Sequence, residues 1–89
     1  PDCDCVPWSD APIVPDIGIA ASLDPVALDQ ACFDLVNQQT GCGDSHLKAG
    51  HAAGEDKFKG VWPYAISQHQ LDYAEKIGLG SRTYKLVEI

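Results

Sequence analysis

The segment Asp16–Gln39, DIGIAASLDPVALDQACFDLVNQQ, changes hydrophobic period partway along, which marks a strand followed by a helix. Ile17, Ile19 and Ala20–Ala21 form a short apolar run without helical spacing, which suits a buried strand of about five residues. Pro15 bounds the run on one side and the turn-like Ser22-Leu23-Asp24-Pro25 on the other. Asp24 followed by Pro25 predicts a helix start. The Asp carboxylate can accept from the free N–H groups of the first turn, and Pro at the first helical position gives up a donor that had no partner. Leu28, Ala31, Cys32, Leu35 and Val36 then recur at three- and four-residue spacing. Asp29, Gln30, Asp34, Asn37 and Gln38 occupy the other side, so one apolar face is set to pack on a sheet. Gly41 is the expected stop.

Upstream, Pro1–Pro15 reads PDCDCVPWSDAPIVP, with four prolines in fifteen residues. A segment short of so many backbone donors forms no helix and makes a poor central strand. It is expected to be extended and ordered by contacts, with Trp8 as its anchor on the domain. Downstream, residues 41–63 carry five of the eight glycines and two of the three histidines, with no sustained period. Connections of that length are usually lids, binding loops or linkers. Phe58, Val61 and Trp62 are placed to pin its end to the core. Ser67 with Gln70 matches a capping box, and Leu71, Ala74 and either Tyr73 or Ile77 supply an apolar face. Gly78 and Leu79 fit a Schellman-type end, giving a helix of about ten residues. Thr83–Ile89, TYKLVEI, is rich in β-formers and reads as a terminal strand at a sheet edge.

The order β-α-loop-α-β predicts a small α/β layer unit within a larger α/β domain. Residues 1–89 form one domain: the N-terminal segment 1–15, the strand–helix core 16–40, the Gly-rich loop 41–63, and the helix and terminal strand 64–89. A chain of 89 residues buries only a little more than roughly 60% of its unfolded surface, so modest stability is expected. Two strands are too few to stand alone. The remainder of a parent protein or a homo-oligomer is therefore expected to complete the sheet. Pro1 at the start and the lack of any Met point to a processed chain or, as the favoured expectation, a fragment of a larger protein.

Thirteen acidic against six basic residues give a net charge of −7, which repels phosphate backbones and anionic lipid. Nucleic acid and membrane surfaces are excluded as natural partners on that ground. The acids are scattered and read as solvated surface and helix caps. A hydrophobic content of 45% excludes disorder, and no apolar run reaches the ~18 residues of a membrane span.

Cys3-Asp4-Cys5 is the strongest chemical signal. Two thiols two residues apart on an extended segment point the same way, and together they could hold a soft metal or the edge of an iron–sulfur cluster. A disulfide within the pair would be strained. Cys32 falls on the apolar stripe and reads as a core residue. Cys42, between two glycines, could join Cys3, Cys5 and either His46 or His51 in a tetrahedral zinc set, the alternative being a solvent-exposed flexible loop. A disulfide-stapled secreted module fits poorly with long regular elements. No Walker loop and no G-x-G-x-x-G follows the strand, and the turn at Ser22–Pro25 carries an acid where a phosphate would sit. No catalytic motif is present. Asp16 and Asp29 could face a cleft completed by other sequence, but capping and solvation explain them more simply.

The run C-D-C-x-x-W-S-D-x-P-I-V-P-D-I-G-I-x-A-S-x-D-P-V-A-L-D-x-A, Cys3 to Ala31, resembles the C-terminal part of the domain of unknown function 362 family. Gly54–Phe58, GEDKF, and Gln70–Gly80, QLDYAEKIGLG, resemble the end of the same domain, so the likeness spans nearly the whole chain. Members of that family are associated with iron–sulfur, ferredoxin-like proteins, often with a separate four-iron insert. The insert's CxxCxxCxxxCP array is absent from this chain. What the resemblance implies is an α/β domain with Cys3 and Cys5 as cluster or metal ligands, a [4Fe-4S] cluster in the parent, a redox partner, and a cytoplasmic setting. The expected function is a scaffold domain of an iron–sulfur protein whose parent transfers electrons. The alternatives are an interaction module with or without zinc, and part of an enzyme site completed by other sequence.

Overall fold

Asp24 sets the first helix. In the computed structural model, which describes residue 2 and residues 5–89, its carboxylate accepts from Val26 N–H at 2.9 Å and Ala27 N–H at 3.1 Å. Pro25 takes the first helical position, and α1 runs Pro25–Gln38. Two shorter helices follow: α2, Lys57–Val61, and α3, His69–Lys76. α1 ends on an extended Gln39 rather than on a glycine. Gly41 has a different task, donating its N–H to the His51 carbonyl at 2.7 Å.

The described residues contain no strand, so the expected α/β layer unit is corrected: the chain is helical. Residues 15–22 and 83–89 run unbent, as strand-formers do, but neither pairs with another segment among the described residues. Ile19 and Leu23 are 103% and 107% exposed, and Ile89 is 116% exposed. Strand propensity measures how well a residue fits a pleated, half-buried surface; it does not supply that surface. The apolar face of α1 therefore packs on α3 instead of a sheet, with Val26, Leu71 and Ala74 forming the buried cluster. The Cα radius of gyration is 13.7 Å, against about 12 Å for a compact domain of this length.

The buried side of α1 is also turned from the expected stripe. Val26, Ala27, Gln30 and Ala31 are buried, Leu28, Leu35 and Val36 are half-buried, and Cys32 is exposed. The cover over Gln30 is Arg82. Its guanidinium lies across α1 and α3, with Nε donating to Gln30 Oε1 at 2.6 Å, Nη2 to Gln68 Oε1 at 2.5 Å, and Nη1 paired with the Asp72 carboxylate. Gln30 in turn donates to Asp34 Oδ1 at 2.8 Å, and the Tyr84 hydroxyl donates to Asp34 Oδ2 at 2.8 Å. That bond, more than burial, pushes the Tyr84 phenol above its ordinary range. A residue that sequence period assigns to solvent is thus covered by the segment that follows α3.

Residues 41–63 are not a plain excursion, because α2 lies within them and one side chain organises them. Lys57 is 0% exposed. Its ammonium donates to the carbonyls of Ala52 at 2.7 Å, Glu55 at 3.0 Å and Asn37 at 3.3 Å, matching its three donors with three acceptors. The Lys57 N–H donates to Asn37 Oδ1 at 2.8 Å, and the Gly54 N–H to the Asn37 carbonyl at 2.7 Å. Phe58 then stacks on Phe33 and Val61 is buried, but Trp62 and Trp8 are exposed rather than acting as anchors. Gly60 sits where α2 meets residues 47–49, and a Cβ there would collide with the Ala49 carbonyl oxygen.

α3 begins one residue later than expected. Gln68 is the cap, with helical φ and ψ and no side-chain bond to the first turn, so Gln70 stands too near the helix start to complete a box with Ser67. Its other end is as expected: Leu79 N–H reaches the Ala74 carbonyl at 3.0 Å and Gly78 N–H the Glu75 carbonyl at 3.1 Å, the Schellman pair, with Gly78 at φ 77°.

Three outcomes follow for stability. Lys57→Met keeps the volume but removes the three bonds from the fully buried ammonium to the carbonyls of Ala52, Glu55 and Asn37, so it should lower urea-unfolding stability by more than about 2 kcal/mol, whereas Lys59→Met on the exposed side of α2 should stay within about 0.5 kcal/mol. Gly60→Ala, which helix propensity alone would make stabilising by about 1 kcal/mol, should destabilise instead because of the Ala49 collision. The N–H groups of Ala27, Ser81 and Val26 hold Asp24 below its ordinary carboxylate value. Its contribution is present above the unfolded value and lost as pH falls through the folded one. Acid unfolding of Asp24→Asn should accordingly show a shallower pH dependence below about pH 4.

Candidate functional site

The N-terminal segment is held against residues 41–46 by two contacts. Asp10 pairs with His46, Oδ2 to Nε2 at 2.9 Å, and the Ile13 carbonyl accepts from Cys42 N–H at 2.7 Å. Asp10 N–H donates to the Asp2 carboxylate at 2.8 Å. The Cys42 carbonyl accepts from Ser45 Oγ at 2.6 Å, and that hydroxyl accepts from Leu47 N–H at 3.2 Å, so a tight local turn fixes Cys42 and presents His46. Cys42 and His46 are thereby placed beside the segment that carries the CxC pair. Cys5 is exposed on it, Cys3 lies outside the described residues, and His51 is half-buried.

Those contacts do not build a metal centre. Among the described residues no group of three or more His, Cys, Asp or Glu side chains is positioned to hold a metal ion. Tetrahedral zinc takes four donors and a cluster ordinarily takes four thiolates. Cys5, Cys42, His46 and His51 do not form such a set, and His46 Nε2 is already engaged by Asp10. The described residues alone therefore do not fit a resident zinc ion or a complete cluster.

A second feature is an open groove of about 440 Å³ between the three helices. Cys32, Phe33 and Val36 of α1, Phe58 and Val61 of α2, and Leu71 of α3 form its walls. The Phe33 and Phe58 rings lie nearly parallel with centroids 4.9 Å apart, which shapes its floor. Asp29 and Gln70 are polar elements of the lining, and Ser67 Oγ is buried there without a partner. The groove presents apolar surface and a thiol.

Sequence period placed Cys32 in the core and missed the groove. Phe33 and Val36 share its side of α1, and that three-residue spacing next to Cys32 was the available signal. No local signal marks Asp10 as the partner of His46, because the pair joins residues 36 positions apart.

The family model described as a domain of unknown function (DUF362) matches residues 1–34. The match takes in the CxC pair, the unpaired run at 15–22 and the first ten residues of α1. Gly54–Phe58 and Gln70–Gly80, expected to belong to the same likeness, lie outside it. No match was found among curated proteins or among solved structures.

Cys32 and Cys42 carry free thiols. The exposed Cys32 should react with a thiol reagent in the folded protein faster than the half-buried Cys42, as read by mass spectrometry of the labelled peptides. The reverse order would return Cys32 to the core.

Proposed function

We propose, from the match of the DUF362 family model to residues 1–34, that the chain is a scaffold and docking module of a cytoplasmic iron–sulfur protein. In this reading Cys3 and Cys5 are contributed to a cluster whose other ligands come from a different polypeptide segment, and electron transfer belongs to the assembled protein. The observation that carries it is the exposed apolar run from Ile17 to Leu23, which begins twelve residues downstream of Cys5. An uncharged run of that kind calls for a cover, and a partner polypeptide that supplies the cover could also supply the remaining ligands. A reducing compartment suits thiols kept for ligation.

A second reading is favoured by the Asp10–His46 and Ile13–Cys42 contacts: an interaction module in which Cys42 and His46 join the CxC pair around zinc.

Iron, sulfide and zinc analysis of protein purified without oxygen, with an absorption spectrum, separates the two. Iron and sulfide, recovered when the chain is produced with the rest of its parent protein, support the first; stoichiometric zinc in the chain alone supports the second. Cys5→Ser should abolish uptake while leaving helical circular dichroism unchanged, since α1 to α3 are specified downstream. Full metal content in that variant would remove Cys5 from the site under either reading.

A further inference from the structure

The unpaired run has both a main-chain and a charge character, and together they define what can cover it. Among the described residues, Val14 to Leu23 make no main-chain to main-chain hydrogen bond, although the run is unbent from Pro15 to Ser22. Ile17, Ile19 and Leu23 are exposed large apolar side chains. Gly18, at φ 151°, breaks the strand geometry within the run, and from Ile19 to Leu23 the segment offers a row of free N–H and C=O groups of the kind a strand edge pairs with.

The charges select the partner. The first 47 residues hold eight of the thirteen acidic residues and none of the six basic ones. Asp16 and Asp24 bracket the run, and the bonds from Ala27, Ser81 and Val26 N–H favour the ionised form of Asp24. Arg82, next to the Ser81 that Asp24 holds, is committed to Asp72, Gln30 and Gln68 and does not neutralise the bracket. A second copy laid along the run would set acid against acid with no base on either side, an arrangement that is destabilising across paired strands. We infer that Asp16–Asp24 is a docking strip for a strand edge of a different polypeptide, apolar along its middle and carrying Lys or Arg at its ends. The inference deepens the docking reading above and is independent of whether a cluster is present.

The test uses the whole chain and two synthetic peptides of alternating valine and threonine, one flanked by paired lysines and one by paired glutamates. The lysine-flanked peptide is expected to shift the backbone amide resonances of Ile17 to Leu23, and to bind at least about tenfold more tightly than its glutamate counterpart at low salt, with the gap closing at high salt. Ile19→Asp should abolish binding. Because successive N–H groups point to opposite edges, either Ala20→Pro or Ala21→Pro should weaken it by about tenfold, with circular dichroism confirming intact helices. Equal binding of the two peptides overturns the charge assignment. Shifts confined to other residues, or indifference to both prolines, overturn the strand-edge assignment. Sedimentation showing a dimer that Ile19→Asp dissolves makes the cover a second copy and overturns the choice of partner. Peptide binding without iron and sulfide in the assembled protein leaves the docking strip standing and removes the cluster; the converse removes only the strip.

Discussion

The layout of the chain depends on a buried ammonium that has no carboxylate partner. Lys57 lies fully inside the protein, ringed by the carbonyls of Ala52, Glu55 and Asn37. Burying an amine is favourable only where its donors are satisfied, so the ring is a strict geometric condition on residues 52–57. Asn37 meets that condition from the last turn of α1, because its carbonyl also accepts from Gly54 N–H and its side chain from Lys57 N–H. One residue of α1 thereby sets where α2 begins. Phe58 is then delivered onto Phe33 and Gly60 onto Ala49, and the groove between the helices follows.

What the sequence made legible was local. The Asp24–Pro25 start of α1 and the Gly78–Leu79 end of α3 are each decided within about five residues, and both occur as the residue types require. The strands were a different kind of inference. Ile17–Ala21 and Thr83–Ile89 have strand composition, but a strand is a relation between two segments, and the second segment is not among those described. Gln30 went astray for a related reason: its cover is Arg82, fifty-two positions along the chain, and no helical period contains that information.

The same division runs through the candidate site. The CxC pair announces itself by spacing, whereas the placement of Cys42 and His46 against the N-terminal segment comes from Ile13 and Asp10, neither of which carries a recognisable pattern. Lys57 lay inside the GEDKF run, where a lysine that follows two acids ordinarily reads as surface. Its burial is a tertiary fact, and it shows that the Gly-rich region is built by backbone carbonyls more than by apolar contact.

Asp24 has one further consequence. Its Oδ1 caps the first turn of α1, while its Oδ2 accepts from Ser81 N–H at 2.9 Å, 57 residues along the chain. Fraying of the α1 start and release of the segment after α3 therefore draw on the same carboxylate, and neither can open without loosening the other. Amide exchange at Val26, Ala27 and Ser81 would then report one shared opening event, making the two distant stretches a single cooperative unit.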